Sequence, residues 1–110
     1  LQNKTPVSVS PRLSITPLIV PHRDEFSETV GYLIAGQSKR VLYVPDIDKW
    51  DLWDTDINAL VTNVDYAFVD ATFFADGEIP RPMSEVPHPY VEESVARFKT
   101  LRDEDKNKIY

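Results

Sequence analysis

Five stretches limit this chain to a fold built on a sheet, because their residues are spaced and chosen as strands require. "PVSVS" (6–10) and the opening of "LSITPLIV" (13–20) alternate apolar and polar residues, with a turn at Pro11-Arg12. "TVGYLIA" (29–35) and "RVLYVP" (40–45) are rich in β-branched and aromatic residues and flank the turn signal Gly36-Gln37-Ser38-Lys39, so they read as a hairpin. "DYAFVDA" (65–71) is almost continuously apolar between its aspartates, which predicts a strand buried on both faces. Pro17 has no N–H to give a central ladder and places its strand at an edge or beside a bulge.

The helical signals are fewer. In "DIDKWDLWDTDINALV" (46–61), Ile57, Leu60 and Val61 have helical spacing, and Asp54 or Thr55 is the expected N-cap. "YVEESVARFKTLR" (90–102) is amphipathic, with Val91, Val95, Phe98 and Leu101 on one face. Between them "FFADGEIPRPMSEVPHP" (73–89) is a proline-rich loop, long for a compact domain and therefore a place to look for function. "DEDKNK" reads as a polar loop, and Ile109-Tyr110 as the opening of a strand that stops as it starts, the mark of a cut chain. The expected fold is α/β (an α+β layer): a largely antiparallel sheet with two helices on one face, in a single domain over 1–110.

Charge and composition exclude several functions. The net charge of -6 offers no basic stripe to displace phosphate counterions, so no nucleic acid is expected as a partner. The absence of cysteine removes disulfides, thiolate metal sites and cysteine nucleophiles. No apolar run approaches the roughly 20 residues that span a bilayer, and no signal peptide is visible, so no membrane partner is expected and the cytoplasm is favoured. P-loop, GxGxxG and GxSxG motifs are absent, and the aspartates of 46–56 lack the glycine and closing glutamate of an EF-hand.

Four residues stand where strands give way to loops. His22 follows an apolar run and is either a metal ligand or a surface histidine in a charged loop. Asp46 ends "VLYVP" and is either a ligand or acid/base group, or a turn cap. Asp70 ends "YAFV" and needs a partner if buried, or else serves loop N–H groups. His88 is held between prolines just before a helix. Converging on one sheet edge, they would form an imidazole–carboxylate set suited to Zn, Fe or Mn. Trp50 and Trp53 either cover a ligand or pack the helix onto the sheet.

"PLIVPHRDEFSETVGYLI", "VLYVPDIDKW", "VDYAFVDATFF" and "GEIPRPMSEVPHPYVEES" together resemble the metallo-β-lactamase fold, most nearly the branch of the pyrroloquinoline-quinone biosynthesis protein B. The resemblance runs from about Thr5 to Tyr110. It implies that His22 is the histidine before the "GY" strand and a metal ligand. It implies that Asp46 is the metal-bridging aspartate, with Pro45-Asp46 where "GD" is usual. Asp70 matches an acidic position before Thr72-Phe73, and is read with Asp46 as catalytic. His88 is placed near the substrate pocket, as is Asp24. The family's HxHxDH motif is absent, and the strand that leads to its last histidine stops at Tyr110.

The resemblance thus implies half of an αββα metallo-hydrolase domain, with Zn (or Fe/Mn) in the full-length parent and the chain alone inactive. The alternative is a standalone, non-catalytic binding or assembly module that forms a homodimer through an exposed sheet face. A third reading is a mononuclear site of His22, Asp46 and His88.

Overall fold

The computed structural model describes residues 2–110. Strands β1 (Val7–Ser10), β2 (Leu13–Val20), β3 (Thr29–Ala35), β4 (Arg40–Val44) and β5 (Tyr66–Val69) form one sheet in chain order. The first three pairings are antiparallel and the last, β4 with β5, is parallel. The parallel step requires the chain to cross back, and residues 45–65 do so through a short 3-10 turn (Trp50–Leu52) and helix α1 (Ile57–Thr62). Helices α2 (Val91–Arg97) and α3 (Asp103–Lys106) follow the long loop.

The helices and one sheet face share a single core. Leu18, Val20, Leu42, Val44 and Ala67 from the sheet meet Ile47, Trp50, Trp53, Ile57, Val61, Val64 and Phe98. Both tryptophans belong to it, and each satisfies its indole N–H: Trp50 Nε1 donates to Ser94 Oγ at 2.9 Å and Trp53 Nε1 to the Ile19 carbonyl at 2.9 Å. The core is close enough at Gly31 that a Cβ there would lie 3.0 Å from both the Tyr43 carbonyl oxygen and Val44 Cγ2.

The opposite sheet face is apolar and, among the described residues, carries no helix. Register places Val7, Ile15, Ile34, Val41 and Tyr66 in one row and Pro17, Tyr32, Tyr43 and Phe68 in the next. Tyr43, Tyr66 and Phe68 are each at least 40% exposed, and Phe68 stacks on Tyr110 with ring centroids 5.5 Å apart. β5 is therefore buried on one face only, not on both as its composition predicts. A continuous apolar run marks burial in a finished two-sided layer, and here one side is open.

Other expectations are modified. The N-cap of α1 is Asp56, whose side chain accepts from Asn58 N at 2.9 Å, rather than Asp54 or Thr55. α2 stops at Arg97, and Val95 faces out at 65% exposure while Tyr90, Ser94 and Phe98 are buried. Ser94 replaces an apolar residue on that face because its hydroxyl receives the Trp50 indole N–H. The "DEDK" segment, expected as loop, is α3, with acidic residues in its first turn and Lys106 in its last, as the helix dipole favours. Pro17 lies beyond the end of the β1 ladder, where its carbonyl accepts from Lys4 N at 2.8 Å, and the bulge falls in β1 between Ser8 and Ser10. At Ile109, where a strand is expected to open, there is a single parallel bridge to Ala67, with Tyr110 N donating to the Ala67 carbonyl at 2.8 Å.

Asp105 anchors this last segment. It is buried, and it accepts from Lys108 Nζ at 2.7 Å and Arg102 Nε at 3.2 Å. The Lys108 hydrogen bond, against the opposing effect of burial, holds its carboxyl below the usual value of about 3.9. A depressed folded-state pKa contributes stability above the unfolded value, and that contribution is lost as pH falls through the folded one. Chemical unfolding from pH 7 to pH 2 is expected to show stability falling below about pH 4. Asp105→Asn is expected to be less stable at pH 7 with a shallower acid slope.

Candidate metal centre

The direction of the strands builds the site. β3 is antiparallel to both β2 and β4, and β5 is parallel to β4, so β2, β4 and β5 run the same way. Their C-terminal ends lie on one edge, and each ends within two residues of a ligand-type side chain: His22, Asp46 and Asp70. His88 arrives from the long loop between β5 and α2. The loop after β4 is tied to the loop after β2 by Asp48 N donating to the Pro21 carbonyl at 2.7 Å.

Four of the five residues expected at the site come together. His22 Nε2 is 3.0 Å from Asp46 Oδ1, and His88 Nδ1 is 3.5 Å from the same oxygen and 2.7 Å from Asp70 Oδ2. The two imidazoles meet edge to face with centroids 5.7 Å apart, and Phe73 covers His88 from another side at 5.9 Å. Asp24 is exposed in the loop behind His22 and makes no hydrogen bond or ion pair among the described residues. That loop turns its charged residues to solvent.

The four residues separate into two pairs by how their polar atoms are satisfied. Asp70 has a wholly buried side chain and is fully engaged as an acceptor. Its Oδ1 takes Thr72 N at 2.9 Å and Thr72 Oγ1 at 2.6 Å, and its Oδ2 takes Ile47 N at 3.3 Å in addition to His88 Nδ1. With the other three contacts all donors, the His88 proton of this pair belongs on Nδ1, and Nε2 is left with the free lone pair.

His22 Nε2 and Asp46 Oδ1 are different. Both atoms are buried, and neither has a hydrogen-bond partner although they are 3.0 Å apart. Leaving such atoms unpaired costs about 1–3 kcal/mol each. A nitrogen and a carboxylate oxygen brought this close without hydrogen-bond geometry suit a shared cation, since neighbouring ligands of a tetrahedral metal lie roughly 3.3 Å apart. His22, Asp46 and His88 each offer a ligand atom within 4.8 Å of the others. The residues present fit a metal, with His22 and Asp46 as its unpaired donors.

A mixed sheet thus ends three like-directed strands at imidazole and carboxylate side chains. The family model described as beta-lactamase superfamily domain matches residues 1–109, and the chain belongs to that family. Among solved structures it is similar to Zn(2+)-bound PqqB from Methylobacterium extorquens, at 22% identity with a TM-score of 0.69. That match covers 93% of this chain and 36% of the other, so the chain spans about a third of its structural relative. No curated protein matches it. Among the described residues no helix is long and apolar enough to cross a membrane.

Two residues escaped the sequence reading. Lys49 Nζ donates to the His88 carbonyl and to Glu93 Oε2, both at 2.8 Å. A lysine in a charged loop and a glutamate in a helix carry no local mark of such contacts.

Asp70→Asn is expected to cost about 1.5–3 kcal/mol of stability, because an amide replaces a buried carboxylate that accepts four hydrogen bonds. Urea unfolding at neutral pH measures it.

Proposed function

We propose that this chain is the metal-holding portion of a hydrolase of the metallo-β-lactamase superfamily. The observation that carries the reading is the pair of buried, unpartnered atoms, His22 Nε2 and Asp46 Oδ1, facing one another at 3.0 Å. A nitrogen–oxygen donor set of this kind suits Zn, Fe or Mn, and zinc is the metal named in the structural relative. When bound, the metal supplies Lewis acidity that makes water nucleophilic near neutral pH.

The chain's own residues would do the rest. Asp46, reached by His22 and close to His88, would be the carboxylate that holds the metal. Asp70 fixes the His88 ring with its proton on Nδ1, which leaves Nε2 free to take a proton from the nucleophile or return one to the leaving group. Two or three donors do not close a coordination shell. The chain carries no HxHxDH, and the remaining donors would come from the rest of the domain, so this portion alone is inactive.

The open sheet face favours a second reading, that the chain acts as a non-catalytic assembly module. Two adjacent rows of apolar side chains with no helix over them call for a second sheet. In this reading the cover is a second copy, which would pair the two faces into a sandwich.

Elemental analysis decides the first reading. After loading with excess Zn, Fe or Mn, the purified chain is expected to retain part of the metal, with loss in both His22→Ala and Asp46→Ala. A metal-free wild type, after exposure to each metal, overturns it. Sedimentation decides the second. A dimer abolished by Phe68→Lys is expected, and a stable monomer at high concentration overturns it.

A further inference from the structure

The contacts of the loop 46–49 exceed what joining two strands requires. Ile47 N reaches Asp70 Oδ2, Asp48 N reaches the carbonyl before His22, and Lys49 reaches across 39 residues to His88. One short segment thus touches Asp70, His88 and the residue before His22.

Lys49 is the far-reaching member. Its side chain is only 18% exposed, and each face of its ammonium is engaged. One contact goes to the His88 carbonyl, one goes to Glu93 Oε2, and the group lies 5.1 Å from the Tyr90 ring centroid. Glu93 Oε2 also accepts from Tyr90 N at 2.7 Å. Lys49 and Glu93 therefore grip the chain on both sides of Pro89.

The segment needs such a grip. His88 lies between Pro87 and Pro89, neither of which has an N–H to anchor it. The carbonyl of His88 is the backbone group next to the carbon that bears the imidazole. A loop-to-helix staple would be complete with the Lys49–Glu93 pair alone. The added bond to this carbonyl fixes the peptide plane from which the ring reaches Asp70.

We propose that Lys49, braced by Glu93, is a positioning residue that sets the His88 ring against Asp70. The proposal deepens the reading of Asp70–His88 as the proton-handling pair and rests on that reading for its catalytic consequence. The positioning itself needs no metal and is tested without one.

The test is proton–nitrogen NMR of the metal-free chain with labelled histidine at a pH where the rings are neutral. The wild type is expected to show His88 as the Nδ1–H form, with a slowly exchanging ring proton that vanishes in Asp70→Asn. Lys49→Met is expected to lose that protected proton and shift the ring toward the Nε2–H form that free imidazole prefers. Lys49→Arg, which keeps two donors, is expected to retain it. Glu93→Gln, which still offers an oxygen to Tyr90 N but not a charge to Lys49, is expected to weaken it and serves if Lys49→Met does not fold.

A His88 signal unchanged in both Lys49→Met and Glu93→Gln, whatever happens to melting temperature, overturns the proposal, as does a wild type without the protected proton. A metal titration alongside separates the two readings. If zinc binds through His22 and Asp46, its affinity is expected to stay within about twofold in Lys49→Met while the His88 ring proton is lost. If zinc does not bind but the ring proton responds as described, the hydrolase reading falls and the positioning role stands.

Discussion

The parallel pairing of β4 with β5 is the constraint on which the site depends. An antiparallel β5 would end at the far edge of the sheet and carry Asp70 away from Asp46. With Val44 opposite Val69, the two carboxylates instead leave the sheet side by side. The helical crossover that makes this possible also supplies Trp50, Trp53 and Ile57 to the core, so the packing that stabilises the sheet enforces the direction of its last strand. β2 joins the same edge because two antiparallel steps restore the strand direction.

Within that edge, satisfied and unsatisfied polar groups do different work. Asp70 is buried deeply, and its four donors make burial tolerable and hold it still. His22 Nε2 and Asp46 Oδ1 stay unpaired although buried, a cost that a bound cation would remove. The same split appears across the sheet. One face is closed by helices, and the other presents aromatic rows to be covered. The chain spans about a third of its structural relative.

Much of this was legible in the sequence, for reasons that differ by element. Strands β2 to β5 are marked by β-branched and aromatic runs between Gly, Pro and Asp, and their ends mark His22, Asp46 and Asp70 at once. The cap of α1 was ambiguous because Asp54, Thr55 and Asp56 are all competent, and only the backbone decides among them. Val95 and Ser94 exchanged places because the indole of Trp50, 44 residues away, calls for a hydroxyl. The acid-to-base order of 103–106 is a helix signal, set in a segment too polar to show what it packs against. The exposure of Tyr66 and Phe68 has no local signature, since it depends on what lies across the sheet. Lys49 and Glu93 were hidden for the same reason: their role is a long-range contact.

The loop lengths have a consequence for how the site assembles in time. β2, β3 and β4 are joined by short connections and pair through contacts near in sequence, whereas β5 must wait for the closure of residues 45–65. β2, β3 and β4 alone set the strand ends that lead to His22 and Asp46 on the same edge. They do not place Asp70, so His88 has no acceptor to set its tautomer. Asp70, and with it the acceptor for His88 Nδ1, therefore joins the edge only when the last parallel strand has docked.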